Sequence, residues 1–256
     1  MENKAILAML MFGSSVSANA GILNLSEADF NSGAGLISFA EFPTGTVNPV
    51  YTPSQYGGEA SDPVVSFGGF FSGQSLSTSP ATDCPGAAST ACIVGSPTGP
   101  LALDPISPQT FISPDASTSR PDVLSGTPLF NGPIAVLFST DQYGVGFDGG
   151  FFDAIGSTAI TAFARDGSLI GSVISSIIGI EFLGLVTDDG SPSIAGVFLD
   201  LVGAEPAGFA IDNIRFGQVG DIDVPVTPSI PLPSTLAILA AGFVGFGFLG
   251  KARNRT

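Results

Sequence analysis

Thr158-Ala-Ile-Thr-Ala-Phe-Ala-Arg165, then Asp166-Gly167, then Ser168-Leu-Ile-Gly-Ser-Val-Ile174 carries the clearest local mark of the fold. Two β-prone runs flank an Asp-Gly step. That step favours a type I′ hairpin turn, in which both central residues take positive φ. The same pattern of short apolar runs bounded by Gly, Pro, Asp and Ser continues in both directions. It occurs at residues 36–40, 64–71, 134–139 and 145–152 before the hairpin. It returns at 180–186, 194–201 and 209–216 after it, with Asp188-Asp189-Gly190 as a second turn. No segment between the chain ends carries a convincing 3.6-residue period. The expectation is an all-β, jelly-roll-like antiparallel β-sandwich over residues 21–217. Phe70-Phe71 and Phe151-Phe152 are adjacent pairs, whose members point to opposite faces if they lie on strands.

Composition narrows the function. The chain has 256 residues, 22 acids, seven bases and no histidine, for a formal net charge of −15. Such a field repels phosphate, so a nucleic-acid partner is excluded. Ser-His-Asp and Cys-His catalysis have no histidine to use, and no Gly-x-x-x-x-Gly-Lys loop is present for phosphate. Carboxylate chemistry stays open in principle, because glycoside hydrolysis needs only paired acids. Glu41, Glu181, Asp200 and Glu205 are available, and no spacing singles out a pair. The expectation is a protein that is not an enzyme, with a carboxylate glycoside hydrolase as the weakest of three readings. Sugar stacking usually draws on Trp or Tyr, and the chain has no Trp and three Tyr.

Four of the seven bases sit at the chain ends, beside apolar runs. Lys4 precedes an apolar stretch from Ala5 to Phe12, followed by Ala18-Asn-Ala20. That stretch is too short to span a bilayer, and Ala-x-Ala is the pattern a signal peptidase accepts. Residues 1–20 therefore read as a signal peptide cut after Ala20. At the other end, residues 230–250 carry no charge and precede Lys251, Arg253 and Arg255. As a helix, about 20 residues at about 1.5 Å each reach roughly 30 Å, the thickness of a bilayer core. The basic cluster behind it would stay cytoplasmic. Residues 218–229, with Pro225, Pro228, Asp221 and Asp223, read as a linker. Removing Lys4, Lys251, Arg253 and Arg255 leaves three bases, and removing Glu2 leaves 21 acids, so the mature body carries −18. A body with this charge is expected to stay soluble and monomeric, and to pair with divalent cations.

Cys84 and Cys92 are the only cysteines. In an exported chain an isolated pair reads as a disulfide, and the spacing is not the Cys-x-x-Cys of metal or redox sites. Residues 83–133 are rich in Pro, Ser and Thr. They read as an insertion or long loop stapled by that bond.

A short proline motif, an apolar span and a terminal basic cluster, in that order, resemble the PEP-CTERM class of bacterial sorting tails. The motif here, Ile230-Pro231-Leu232-Pro233-Ser234, is close to the Val-Pro-Leu-Pro-Ala form and lacks the acid of Pro-Glu-Pro. The resemblance covers residues 230–256. It implies an exported protein held transiently in the inner membrane, cut near the motif by an exosortase-type enzyme, and delivered to the cell surface or outside. It also implies association with exopolysaccharide and biofilm. A permanent single-pass anchor is the alternative.

The closing run Phe209-Ala-Ile-Asp212-Asn213-Ile-Arg-Phe216, together with Ile37-Ser-Phe-Ala-Glu41-Phe, is similar to a recurrent exported β-sandwich pattern allied to carbohydrate-binding domains. That resemblance places the first and last strands side by side, with a calcium ion beside them. Glu41 and Asp212 are the ligands it implies, with Asn213 or Glu27 as weaker ones. Calcium takes six to eight oxygens, which carboxylates, carbonyls and water supply. The leading expectation is a non-catalytic surface or matrix protein, and the alternative a calcium-dependent, lectin-like carbohydrate-binding module.

Overall fold

The computed structural model describes residues 21–115, 122–206 and 209–224. All belong to one unit, Met1–Val224; Pro225–Thr256 forms a second. The signal residues Ala18 and Ala20, the motif Pro231–Ser234, the apolar span and Lys251, Arg253 and Arg255 lie outside the described residues. Among those described, no helix is long and apolar enough to cross a membrane.

Fifteen strands follow in chain order: β1 (Ile22–Leu25), β2 (Gly35–Ile37), β3 (Val50–Tyr51), β4 (Val65–Gly68), β5 (Gln74–Leu76), β6 (Ile93–Gly95), β7 (Thr110–Pro114), β8 (Asp122–Gly126), β9 (Ile134–Gln142), β10 (Gly144–Phe152), β11 (Thr158–Phe163), β12 (Leu169–Ile174), β13 (Gly179–Thr187), β14 (Ile194–Leu201) and β15 (Ala210–Gly217). They form two antiparallel sheets in a sandwich-like arrangement. The first sheet runs β1-β13-β10-β15-β8-β7, with β2 also paired to β15. The second runs β12-β11-β14-β9-β4-β3. A separate two-stranded arm pairs β5 with β6.

Each of the nine runs read from the sequence holds a strand. The hairpin around Asp166-Gly167 is β11–β12, with Thr161 opposite Ser172. Its turn differs from type I′. Gly167 alone of the central pair has positive φ, 84°. The Gly167 N–H donates to Ala164 O, and the Ala164 N–H donates to Ser168 O. The register slips by one residue at Ala162/Phe163. This is a type I turn closed by a glycine bulge, the three-residue hairpin loop. The reason is local: the Asp166 carboxylate accepts the Ser168 N–H at 2.9 Å and its hydroxyl at 2.6 Å. That Asx-type bond is made without Asp166 entering the left-handed region.

The main core lies between the sheets. Ile37, Phe39, Phe67, Val136, Phe138, Phe147, Ile160, Leu199 and Phe216 are all buried there. A second apolar cluster covers the outer face of the six-stranded sheet, where Phe70, Phe71 and Leu101 pack on Ala135, Phe163, Ala195 and Phe198. Both members of the Phe70-Phe71 pair are therefore buried, because they follow β4 on a segment that folds back over the sheet. Phe151-Phe152 splits as expected, with Phe152 buried and Phe151 exposed.

Residues 83–115 and 122–133 are not an unpaired loop. They hold β6, β7 and β8, and the latter two extend the larger sheet. Cys84 and Cys92 form the expected disulfide, with Cα atoms 5.8 Å apart. It closes only the excursion between β5 and β6. The linker reading also moves, because residues 218–224 pack on the body. Ile222 bridges Phe30 and is buried with Leu25, Tyr143 and Val186, and the Asp223 N–H donates to Asp29 O at 2.7 Å.

Candidate functional site

β2 pairs with β15, with Ile37 opposite Ile214, so the strand that leads into Glu41 and the strand that carries Asp212 and Asn213 are neighbours. Asp212 and Asn213 lie on β15, and Asp148 of β10 stands directly across from Asp212. Register slips between Gly146 and Asp148, and Asn213 sits at φ 45°. That local irregularity aims the Asn213 side chain at both acids. Its Nδ2 donates to Asp148 Oδ2 at 2.9 Å and to Asp212 Oδ2 at 3.2 Å. Both carboxylates are nearly buried, at 8% and 6% exposure. The same pair lines a small cleft with Asp115, Phe151 and Ile180. Asp148 and Asp115 were not singled out from sequence, since nothing local marks them as partners of Asp212.

Glu41 is engaged elsewhere. Its Oε1 accepts the Ser38 N–H at 3.0 Å and the Ser38 hydroxyl at 2.9 Å. Its Oε2 is buried with no hydrogen-bond partner, as is the Tyr51 hydroxyl. Tyr51 lies in an edge-to-face aromatic group with Phe39, Phe42 and Phe67. Burial, then the charges of Glu41 and Asp122, push its phenol above the usual range. Glu27, the weaker candidate, pairs with Arg215 at 2.5 Å. Among the described residues no group of three or more His, Cys, Asp or Glu is disposed to hold a metal ion.

The other acids weighed for catalysis stand in separate surroundings. Glu181 accepts from Ser176 N–H, Ser176 O–H and Ile177 N–H, closing the β12–β13 connection. Glu205 is fully buried. It accepts the Ser157 hydroxyl at 2.6 Å and the Asp153 N–H at 3.0 Å. Burial, with the neighbouring Asp153 charge, raises its carboxyl from 4.5 to about 7. Asp200, on β14, is touched by the Thr161 hydroxyl at 3.5 Å. Burial raises its carboxyl.

Asp200 and Thr161 face a cavity of about 230 Å³ between the six-stranded sheet and the β5–β6 arm. Ser172 joins from β12, its hydroxyl 2.9 Å from that of Thr161. The arm contributes Gln74 and Ser96, and Phe163 and Leu169 are among the apolar walls. Half of this set was legible: residues 161 and 172 are equidistant from the Asp-Gly step, so the hairpin alone makes them neighbours. The arm's contribution carried no local signal.

No family model, curated protein or solved structure matches this chain.

Proposed function

We propose that the chain is a non-catalytic exported protein of the cell surface or extracellular matrix, sorted by its C-terminal tail and associated with exopolysaccharide. The observation that carries this reading is the order of the three tail parts, Pro231-Leu232-Pro233-Ser234, then an uncharged span, then Lys251, Arg253 and Arg255, in a chain that begins with a signal-like segment. The Cys84–Cys92 bond supports it, since such bonds persist in oxidising compartments. In this reading signal peptidase cuts after Ala20. The tail then holds the protein in the inner membrane until an exosortase-type enzyme cuts near residues 231–234. The two antiparallel sheets, with β2 against β15, are read as a jelly roll whose surface meets the polysaccharide. Intact-mass measurement of the native mature protein tests the reading. A mass that begins at Gly21 and ends near Leu232–Ser234 is expected; retention of residues 251–256 overturns tail processing.

A second reading, a calcium-dependent carbohydrate-binding module, is favoured by the meeting of Asp148, Asp212 and Asn213 at one place on β10 and β15. The two carboxylates are hard oxygen donors of the kind calcium selects, Asn213 would have to turn its Oδ1 toward the ion to join them, and the ion would supply a fixed positive centre for sugar hydroxyls. Calcium then raises the melting temperature, and Asp148→Asn abolishes the rise. No rise in the wild type removes this reading.

A further inference from the structure

The cavity beneath the β5–β6 arm has a chemistry that neither the tail nor the calcium reading uses. At about 230 Å³ it lies below the roughly 300–1,000 Å³ of sites that enclose drug-sized ligands. It is several times the roughly 30 Å³ that one water takes in the liquid. A single small ligand is the right scale. Its walls are of two kinds. Phe163, Phe198 and Leu169 give an apolar side, and Asp200, Thr161, Ser172, Gln74 and Ser96 give a polar one.

The polar groups are only partly used by the protein itself. The Gln74 Oε1 accepts the Phe71 N–H at 2.9 Å, so its Nε2 is the end left to donate to a ligand. Asp200 is half-buried, and its carboxylate takes the long 3.5 Å contact from the Thr161 hydroxyl and a backbone hydrogen bond from Leu201. The ion pairs among the described residues, Arg165–Asp141 and Arg215–Glu27, do not involve it. Two donors leave acceptor capacity on a carboxylate, which has about four lone-pair sites, and that remaining capacity faces the cavity. Several hydroxyl donors beside an apolar ring face are what a sugar offers.

We infer that this cavity is a subsite for one neutral pyranose unit, with Asp200 accepting ring hydroxyls, Thr161, Ser172 and Gln74 completing the polar side, and Phe163 and Leu169 taking the apolar C–H face. The inference rests on the proposed association with exopolysaccharide and names the place and the sugar class. A neutral unit is specified because a uronate would set a second carboxylate beside Asp200, where like charges repel. The two legs of the arm are joined at its base, where the Thr98 N–H donates to Ser72 O at 2.8 Å, and the segment that follows is tied to the β11–β12 turn by the Leu101 N–H, which donates to Arg165 O at 2.7 Å.

The test uses the native mature protein in two measurements. The first is retardation in gels containing the exopolysaccharide of the producing cells. The second is calorimetric titration with cellotetraose, mannotetraose, tetragalacturonate and a glucosamine tetramer. We expect retardation of the wild type and binding of a neutral tetrasaccharide. Asp200→Asn loses the charge-assisted bonds and weakens both by about ten-fold. Thr161→Val weakens them by about five-fold. Ser172→Ala serves as the second variant should either of these fail to fold, with thermal melting as the check. Equal retardation of wild type and variants overturns the subsite and leaves the association standing. Absence of wild-type retardation overturns both. Preference for tetragalacturonate or the glucosamine tetramer overturns the assignment to a neutral sugar.

Discussion

Glu205 shows how one buried side chain ties distant segments together. Its carboxylate holds Ser157 and Asp153, and its backbone oxygen accepts the Ala88 N–H at 2.7 Å, inside the disulfide loop. Burial, with the Asp153 charge adding, raises its carboxyl from 4.5 to about 7. The native state thus holds this proton more tightly than the unfolded chain. Its contribution to stability is complete below 4.5 and is lost as pH climbs through about 7. Glu205→Gln removes that dependence. Melting curves at pH 5 and pH 7 check this: the wild type gains on acidification relative to the variant, and parallel shifts in the two proteins refute it. The position also sets a limit on reading by residue type. Glu205 and Glu41 are both single acids in apolar surroundings of sequence, yet one is fully enclosed with both oxygens bonded, by the shared Asp153 N–H and the Ser157 hydroxyl, and the other keeps an unpartnered oxygen.

At the scale of elements, the six-stranded sheet is buried on both faces, and its strands record it. β11 is buried along its whole length and β14 nearly so, while the edge strand β12 is largely exposed. Strands covered on both sides read as continuous apolar runs, not as alternation, which is why 158–165 and 194–201 stood out so plainly. What covers the outer face is the segment from Phe70 to Leu103, and its grip is Phe71, fully buried and set edge-on to Phe163 at 5.8 Å. Truncation by Phe71→Ala costs about 3–5 kcal/mol. It also loosens the arm, so chemical-denaturation midpoints fall and proteolysis begins in residues 72–98. A variant that loses stability with the arm still protected refutes this linkage. The disulfide acts on the same arm. Replacing Cys84 and Cys92 by Ala removes a closed loop worth roughly 2–3 kcal/mol in the unfolded-chain entropy estimate. Its first expected sign is loss of hydrogen-exchange protection at the β5–β6 pairs Ser75/Val94 and Leu76/Ile93.

For the whole molecule, charge dominates. The formal net charge is −15, with 22 acids against seven bases, so the ion pairs of Arg165 with Asp141 and Arg215 with Glu27 engage only a small share of the acids. Self-repulsion destabilises a compact state and keeps copies apart. Sodium chloride shortens the reach of these charges to roughly 10 Å at 0.1 M. The melting temperature therefore rises between low salt and 0.3 M salt, with sedimentation remaining that of a monomer. A flat or falling melting temperature refutes charge repulsion as a dominant cost.

The amino-acid sequence by itself determined the class of fold, the disulfide and nine of the fifteen strands. Those features rest on short-range physics: turn chemistry at Asp166-Gly167, apolar runs of strand length, and a lone cysteine pair. The six remaining strands, β1, β3 and β5 to β8, are two to five residues long. Most sit in polar or proline-rich surroundings, and it is pairing that makes them strands: β1 with the distant β13, and β3, β5 and β7 each with the strand that follows it in the chain. The same holds for the sites. Asp212 and Asn213 were visible as a motif, but Asp148, which completes the group, is 65 residues from Asn213. Thr161 and Ser172 follow from the hairpin, whereas Gln74 and Ser96 reach the cavity only because the arm folds over the sheet. Local propensity cannot specify contacts of that separation. They were settled by which apolar faces had to be covered, and that is a property of the assembled sandwich.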